Sequence, residues 1–172
     1  MRFFSLFDLP ISFDVDIALL QERYRDIQKH VHPDNFANTT ESERLLAVQK
    51  ASEVNDAFET LKHPLTRAEY MVMEHGHDVR HEQSTIKDGM FLMQQMELRE
   101  ELEEIESSSD VEAAFDDFYD DVKQLIREYT EQFVSNFDNQ DYDAAAQSVR
   151  KLRFIYKLKD EATALEEKLL DF

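Results

Sequence analysis

The sequence predicts an all-α protein in two parts, an antiparallel helical hairpin with short flanking helices followed by a three-helix bundle. Three observations predict it. Apolar residues recur at alternating spacings of three and four along several segments, the period of an amphipathic helix. Only 2 glycines and 3 prolines occur among 172 residues, too few for the tight turns of a sheet-rich protein. The apolar fraction is 42%, enough for a real core and too high for a disordered chain.

The opening "MRFFSLFDLP" begins like a signal peptide, with Arg2 ahead of aromatics. Asp8 and Pro10 cut that apolar run too short. The stretch is also too short to stand alone, so its phenylalanines and leucines are expected to cover the hairpin. Ile17, Leu20, Tyr24, Ile27 and Val31 then form one helical stripe, with Asp14 or Asp16 available to cap its start. Pro33 ends it, because the residue before a proline is pushed out of the helical region. "NFANTTES" reads as a polar loop, and Thr40 with Glu43 has capping-box spacing for the next helix. That helix carries Ala47, Ala51, Val54, Phe58 and Leu61. Two stripes of equal length joined by one loop make a hairpin. Pro64 suits the first turn of a short helix that Gly76 stops near His75.

"HGHDVRHEQST" reads as a linker, assigned to residues 76–84. Three helical patterns follow in 85–172: roughly Thr85 to Glu106, one holding Phe115, Phe118, Val122, Leu125, Tyr129 and Phe133, and one from about Tyr142 to Leu170. The formal net charge is −19. Residues 1–75 hold 8 basic and 13 acidic side chains, whereas 76–172 hold 11 and 25, so the acidity belongs mainly to the second half. So acidic a chain repels phosphate backbones and excludes nucleic acid as an expected partner. With no cysteine there is no disulfide, no thiolate nucleophile and no cysteine ligation of zinc or an iron–sulfur cluster. No stretch approaches a membrane span. A cytoplasmic protein without a membrane association is expected.

The hairpin raises a question at "HVHPDNF". A helix stop needs only the proline, yet His32, Pro33 and Asp34 come together. Arg25 and Lys29 lie one turn apart on the side opposite the apolar stripe, shared with Glu22 and Asp26. Alone, that face reads as a solvated surface with internal ion pairs. Together with "NDAFETLKHPLTRAEY", the arrangement resembles a J domain, the module that activates DnaK-type chaperone ATPases. Asn55, Ala57, Phe58, Leu61, Pro64, Arg67 and Tyr70 fall on that family's third-helix ending, and "FFSLFDLP" resembles its opening helix, so the resemblance covers 1–75. It implies that His32, Pro33 and Asp34 trigger ATP hydrolysis by the partner and that Arg25 and Lys29 steer docking. One departure is Asn35, where many members place a basic residue.

In "MFLMQQMELREELEEIE", Phe91, Leu98, Leu102 and Ile105 share one stripe of a helical wheel. Leu92, Met96 and Met93 fall about 100° to 200° away from it at about 100° per residue. Glu97, Glu100 and Glu104 surround them. One reading is that a neighbouring helix covers these apolar residues. The other is a partner site, apolar with a charged rim, in which methionine supplies an adaptable contact.

From end to end the chain resembles the HscB family of J-type co-chaperones of iron–sulfur cluster assembly. "FLMQQMELREELEEIE" and "AAAQSVRKLRFIYKL…LEEKLLDF" carry that resemblance. It implies that the bundle binds an IscU-like scaffold protein through Leu92, Met93, Met96, Glu97, Glu100, Glu104 and Phe154, and that the J domain acts on an HscA-like DnaK-type chaperone. It implies no cofactor of the chain's own. The alternative is a general J-domain co-chaperone whose bundle binds unfolded clients.

Other constellations are weaker. His77 and His81 are four apart, with His75 nearby, a spacing that could hold a metal. They fall in the expected linker, however, with Gly76 between two of them. His30, His32 and Asp34 could mimic a metal site but for the intervening proline. The many carboxylates come with no nucleophile and no glycine-rich phosphate loop, so an enzyme is not expected.

Overall fold

The computed structural model describes residues 1–80 and 86–170. Among them every regular element is helical, and the chain divides into two compact units, Met1–Glu74 and His75–Phe172. No helix among the described residues is long and apolar enough to cross a membrane.

The first unit is the expected antiparallel helical hairpin with short flanking helices. Helix α1 (Arg2–Leu6) lies on it, with Phe4 and Phe7 buried. The Phe3 ring stacks on Tyr70 at 4.5 Å between centroids, and the Phe3 amide donates to the Tyr70 hydroxyl at 3.0 Å. Helix α2 (Ile17–Val31) starts at Asp16, whose carboxylate accepts from the Leu19 amide at 3.1 Å and satisfies one of the amides a helix start leaves without a partner. Helix α3 (Glu41–Lys62) starts at Thr40, whose hydroxyl accepts from the Glu43 amide at 3.2 Å. The hairpin zips through Tyr24 and Phe58, stacked at 4.0 Å, above a floor of Leu20, Val54, Ala57 and Leu61. Helix α4 (Pro64–Met73) begins at its proline and is followed by Gly76 at φ +89, in the left-handed region that glycine adopts without strain.

One departure lies between α2 and α3. A 3₁₀ turn, Pro33–Phe36, runs from the helix stop into the start of the segment read as polar loop. Another is Arg67. Sequence reasoning placed it on a motif without a structural task, and it is buried. Its guanidinium donates to the Leu61 carbonyl at 2.8 Å and to the Phe13 carbonyl, and lies 5.1 Å from the Phe13 ring centroid. A planar fork of donors suits this task as lysine does not: it ties the end of α3 to the loop before α2.

The second unit is the expected bundle: α5 (Gly89–Glu104), α6 (Val111–Asp138) and α7 (Tyr142–Leu170). Phe115, Phe118, Val122, Tyr129 and Phe133 of α6 pack with Ala145, Ala146, Val149, Leu152, Ile155 and Leu158 of α7. Small alanines at the start of α7 let that long pair approach closely. Helix α5 closes the bundle with Phe91, Leu98 and Leu102, and Ile105 follows in a 3₁₀ turn, Ile105–Ser107. Helix α5 begins later than the apolar pattern suggested, because Asp88 caps it by accepting from the Met90 and Phe91 amides at 3.1 and 3.2 Å. Thr85 lies outside the described residues.

Residues 76–80, read as linker, make contacts within this unit. His77 Nε2 is 3.3 Å from an Asp143 carboxylate oxygen, and Arg153 donates to the Arg80 carbonyl at 3.0 Å. His75 stacks on Tyr142 at 3.7 Å between ring centroids. His81 lies outside the described residues, and no group of three or more potential metal ligands occurs among the described ones.

Candidate partner-binding sites

The first site is the end of α2. His32 leaves the helix with φ −60 and ψ 135, the extended conformation that a following proline imposes. Its Nδ1 then accepts from the Asp34 amide at 3.2 Å, capping the 3₁₀ turn, and lies 3.5 Å from the Asp34 carboxylate. An imidazole that accepts at Nδ1 carries its neutral-form proton on Nε2. The same device recurs at His63, which caps α4 by accepting from the Leu65 amide at 3.1 Å ahead of Pro64. His-Pro is therefore a local capping unit in this fold, and a histidine in it is held in place without being buried.

Asn35, where many J domains carry a basic residue, has a local task. Its side-chain amide donates to the Lys29 carbonyl, one of the carbonyls left without a partner where α2 ends. The turn is thus fixed from both sides. Its side chains and the basic face of α2 line a single open groove of about 650 Å³, shared by Arg25, Lys29, His32 and Asp34 with Ala51 and Asn55 of α3. Asn55 was read only as part of a motif. It accepts from the Tyr24 hydroxyl at 2.6 Å, which in turn accepts from the Gln28 amide at 2.7 Å. This chain of hydrogen bonds joins the two walls of the groove. Arg25, Lys29, His32, Pro33 and Asp34 are all exposed.

The second site is on α5. Its core stripe is buried as the wheel requires, while Leu92, Met93 and Met96 are 44%, 64% and 65% exposed. Among the described residues no neighbouring helix covers them. Glu97, Glu100 and Glu104 are exposed around them. Phe154 of α7 is half-buried, its ring edge-on to Phe91 at 5.9 Å between centroids. A contiguous apolar surface rimmed by charge is the composition of a protein-binding patch.

Two features here escaped sequence reasoning. Lys151 of α7 reaches Asp88 at 2.6 Å with its ammonium 5.4 Å from the Tyr129 ring centroid. Its hydrogen bond, with those of the Phe91 and Met90 amides, holds the Asp88 carboxyl below its ordinary range. The cap of α5 is thereby pinned to α7. The residues are far apart in sequence, and only an aspartate just ahead of an apolar run hinted at the cap.

The other feature is the seam between α5 and α6. Gln94, Glu97 and Glu101 face Asp121, Gln124 and Glu128 across a groove of about 300 Å³ whose lining includes no lysine or arginine. Burial, then a hydrogen bond and repulsion from Asp121, then repulsion from Asp117, push the Glu101 carboxyl up to about 7. The folded state therefore holds this proton more tightly than the unfolded chain does. The cost of ionising Glu101 is absent below the ordinary value of 4.5, grows between 4.5 and 7, and is fully present above about 7. Stability accordingly rises as pH falls through 7. We expect the melting temperature to increase from pH 8 to pH 6, and Glu101→Gln to reduce that increase. An unchanged pH response in the Gln variant would place the titrating proton elsewhere.

Residues 87–163 match the profile described as the HSCB C-terminal oligomerisation domain, which spans α5, α6 and most of α7. A curated relative from Aliivibrio fischeri strain MJ11, named "Co-chaperone protein HscB homolog", is 53% identical over 170 residues, 99% of each chain. The chain belongs to the HscB family. The family fold extends over both units. The solved structure of chaperone HscB from Vibrio cholerae superposes with TM-score 0.87 at 47% identity, covering 97% of this chain and 99% of that one. Human co-chaperone protein HscB superposes with TM-score 0.86 at 32% identity, covering 97% and 83%.

Proposed function

We propose that this protein is a cytoplasmic co-chaperone that binds an iron–sulfur cluster scaffold protein and delivers it to a DnaK-type chaperone ATPase of the HscA kind, stimulating ATP hydrolysis. The observation that carries the proposal is the coexistence of two exposed sites on two compact units of one HscB-family chain: the His32–Asp34 groove in the first, and the carboxylate-rimmed patch of α5 in the second.

The chemistry of each site suggests its role. The groove offers two cations, Arg25 and Lys29, to steer a complementary acidic surface, an imidazole held by a backbone amide, and the Asp34 carboxylate beside it. Such preorganised groups bias a partner's conformational equilibrium only if they contact one of its states better than another, and a locked turn suits that requirement. The α5 patch binds the scaffold through apolar burial, with Glu97, Glu100 and Glu104 setting orientation. The protein is an adaptor and performs no chemistry itself. Tethering makes capture of the scaffold by the ATPase quasi-intramolecular.

The test is an ATPase assay on the chaperone with this protein, the scaffold, or both. We expect synergy when both are present. Stimulation by generic unfolded peptide without scaffold synergy would support a general co-chaperone, and the scaffold reading would fall.

A further inference from the structure

We infer that Met90 is a fourth apolar contact of the α5 docking surface, extending it by two residues toward the N-terminus of the helix. The inference rests on the scaffold-binding reading proposed above and adds a residue that the sequence pattern did not single out.

Met90 is 73% exposed, more than Leu92, Met93 or Met96. An isolated exposed methionine needs no explanation. Met90 is not isolated: residues three and four apart share a helix face, so Met90, Met93 and Glu97 form one row beside the row of Met93, Met96 and Glu100. The apolar surface is then continuous from residue 90 to residue 96, about 9 Å of helix, before the carboxylates take over.

Position in a first turn would ordinarily weaken such a contact, because helix ends fray. Here the turn is locked. The Asp88 carboxylate accepts from the amides of Met90 and Phe91, and Lys151 holds that carboxylate at 2.6 Å. Phe91, the next residue, is buried against Tyr129 and Phe154. The backbone of Met90 is therefore fixed while its side chain stays in solvent, so ordering costs on binding are confined to the side chain. An unbranched thioether adapts to the partner's surface.

The experiment titrates the apo iron–sulfur scaffold protein onto the full chain carrying Met90→Ala, Met90→Leu, or Leu92→Ala with Met96→Ala. Met90→Ala is expected to weaken binding about three- to tenfold, chiefly through faster dissociation, with the melting temperature unchanged because alanine is the better helix former. Met90→Leu conserves apolar volume and is expected to retain affinity. Wild-type affinity in Met90→Ala, or an equal loss in Met90→Leu, overturns the inference while a loss in the Leu92/Met96 variant leaves the proposed function standing. Wild-type affinity in all three overturns both.

Discussion

His32→Gln is expected to reduce stimulation of the chaperone ATPase to the unassisted rate while leaving the fold and scaffold binding intact. The side chain of His32 is 59% exposed and lies outside both apolar stripes, with the Asp34 amide and carboxylate beside its Nδ1. Losing a cap costs about 1 kcal/mol, too little to unfold the unit. Functionally the change is larger. A glutamine lacks the rigid ring that places one nitrogen on the Asp34 amide and the other outward, so the geometry offered to the partner is lost. Melting and ATPase stimulation measured on the same preparation check this. Stimulation at the wild-type level in the variant would contradict the assignment of the trigger.

Leu92→Ala with Met96→Ala should leave the melting temperature nearly unchanged and weaken scaffold binding by at least about tenfold. The two positions are one turn apart and 44% and 65% exposed. Truncating core residues costs about 2–5 kcal/mol each, whereas truncating exposed ones costs under about 1. At the centre of an interface the same truncation removes roughly 1–2 kcal/mol of binding per residue. Phe154→Ala should add to the loss of affinity, with some loss of stability because the ring packs edge-on against buried Phe91. Stimulation of the ATPase without scaffold should survive in the double variant, and the scaffold-dependent gain should shrink. Paired melting and titration decide the matter: a large drop in stability with no specific loss of binding would mean that the patch supports the fold.

The two sites differed in how far the sequence exposed them. The core and outward faces of α5 were legible because helical periodicity assigns direction, and a lone helix with apolar residues on two sides must leave one side uncovered unless another element meets it. Phe154 was not legible by pattern, since α7 is apolar on several sides. Its placement beside Phe91 follows from packing of α5 against α7. The groove beside His32 was legible only in part. Arg25, Lys29 and the His-Pro-Asp turn lie within a short stretch, but Ala51 and Asn55 reach the groove through the hairpin closure, which local spacing does not specify. The pin from Lys151 to Asp88 and the burial of Arg67 were hidden for the same reason: both join residues distant in the chain, and a charged side chain reads as surface until its partners are known. Boundaries failed where capping overrode periodicity, as at Asp88, and where a proline-led 3₁₀ turn replaced loop.

The central claim is that one chain must hold scaffold and ATPase together. The most direct measurement compares scaffold-dependent ATPase stimulation by the intact protein with that by residues 1–74 and 75–172 added as separate, folded chains at equal concentration. The account predicts that the first fragment alone retains scaffold-independent stimulation, that the second alone binds the scaffold, and that the mixture lacks the synergy of the intact chain, because capture is no longer intramolecular. Full synergy from the unlinked mixture would contradict it.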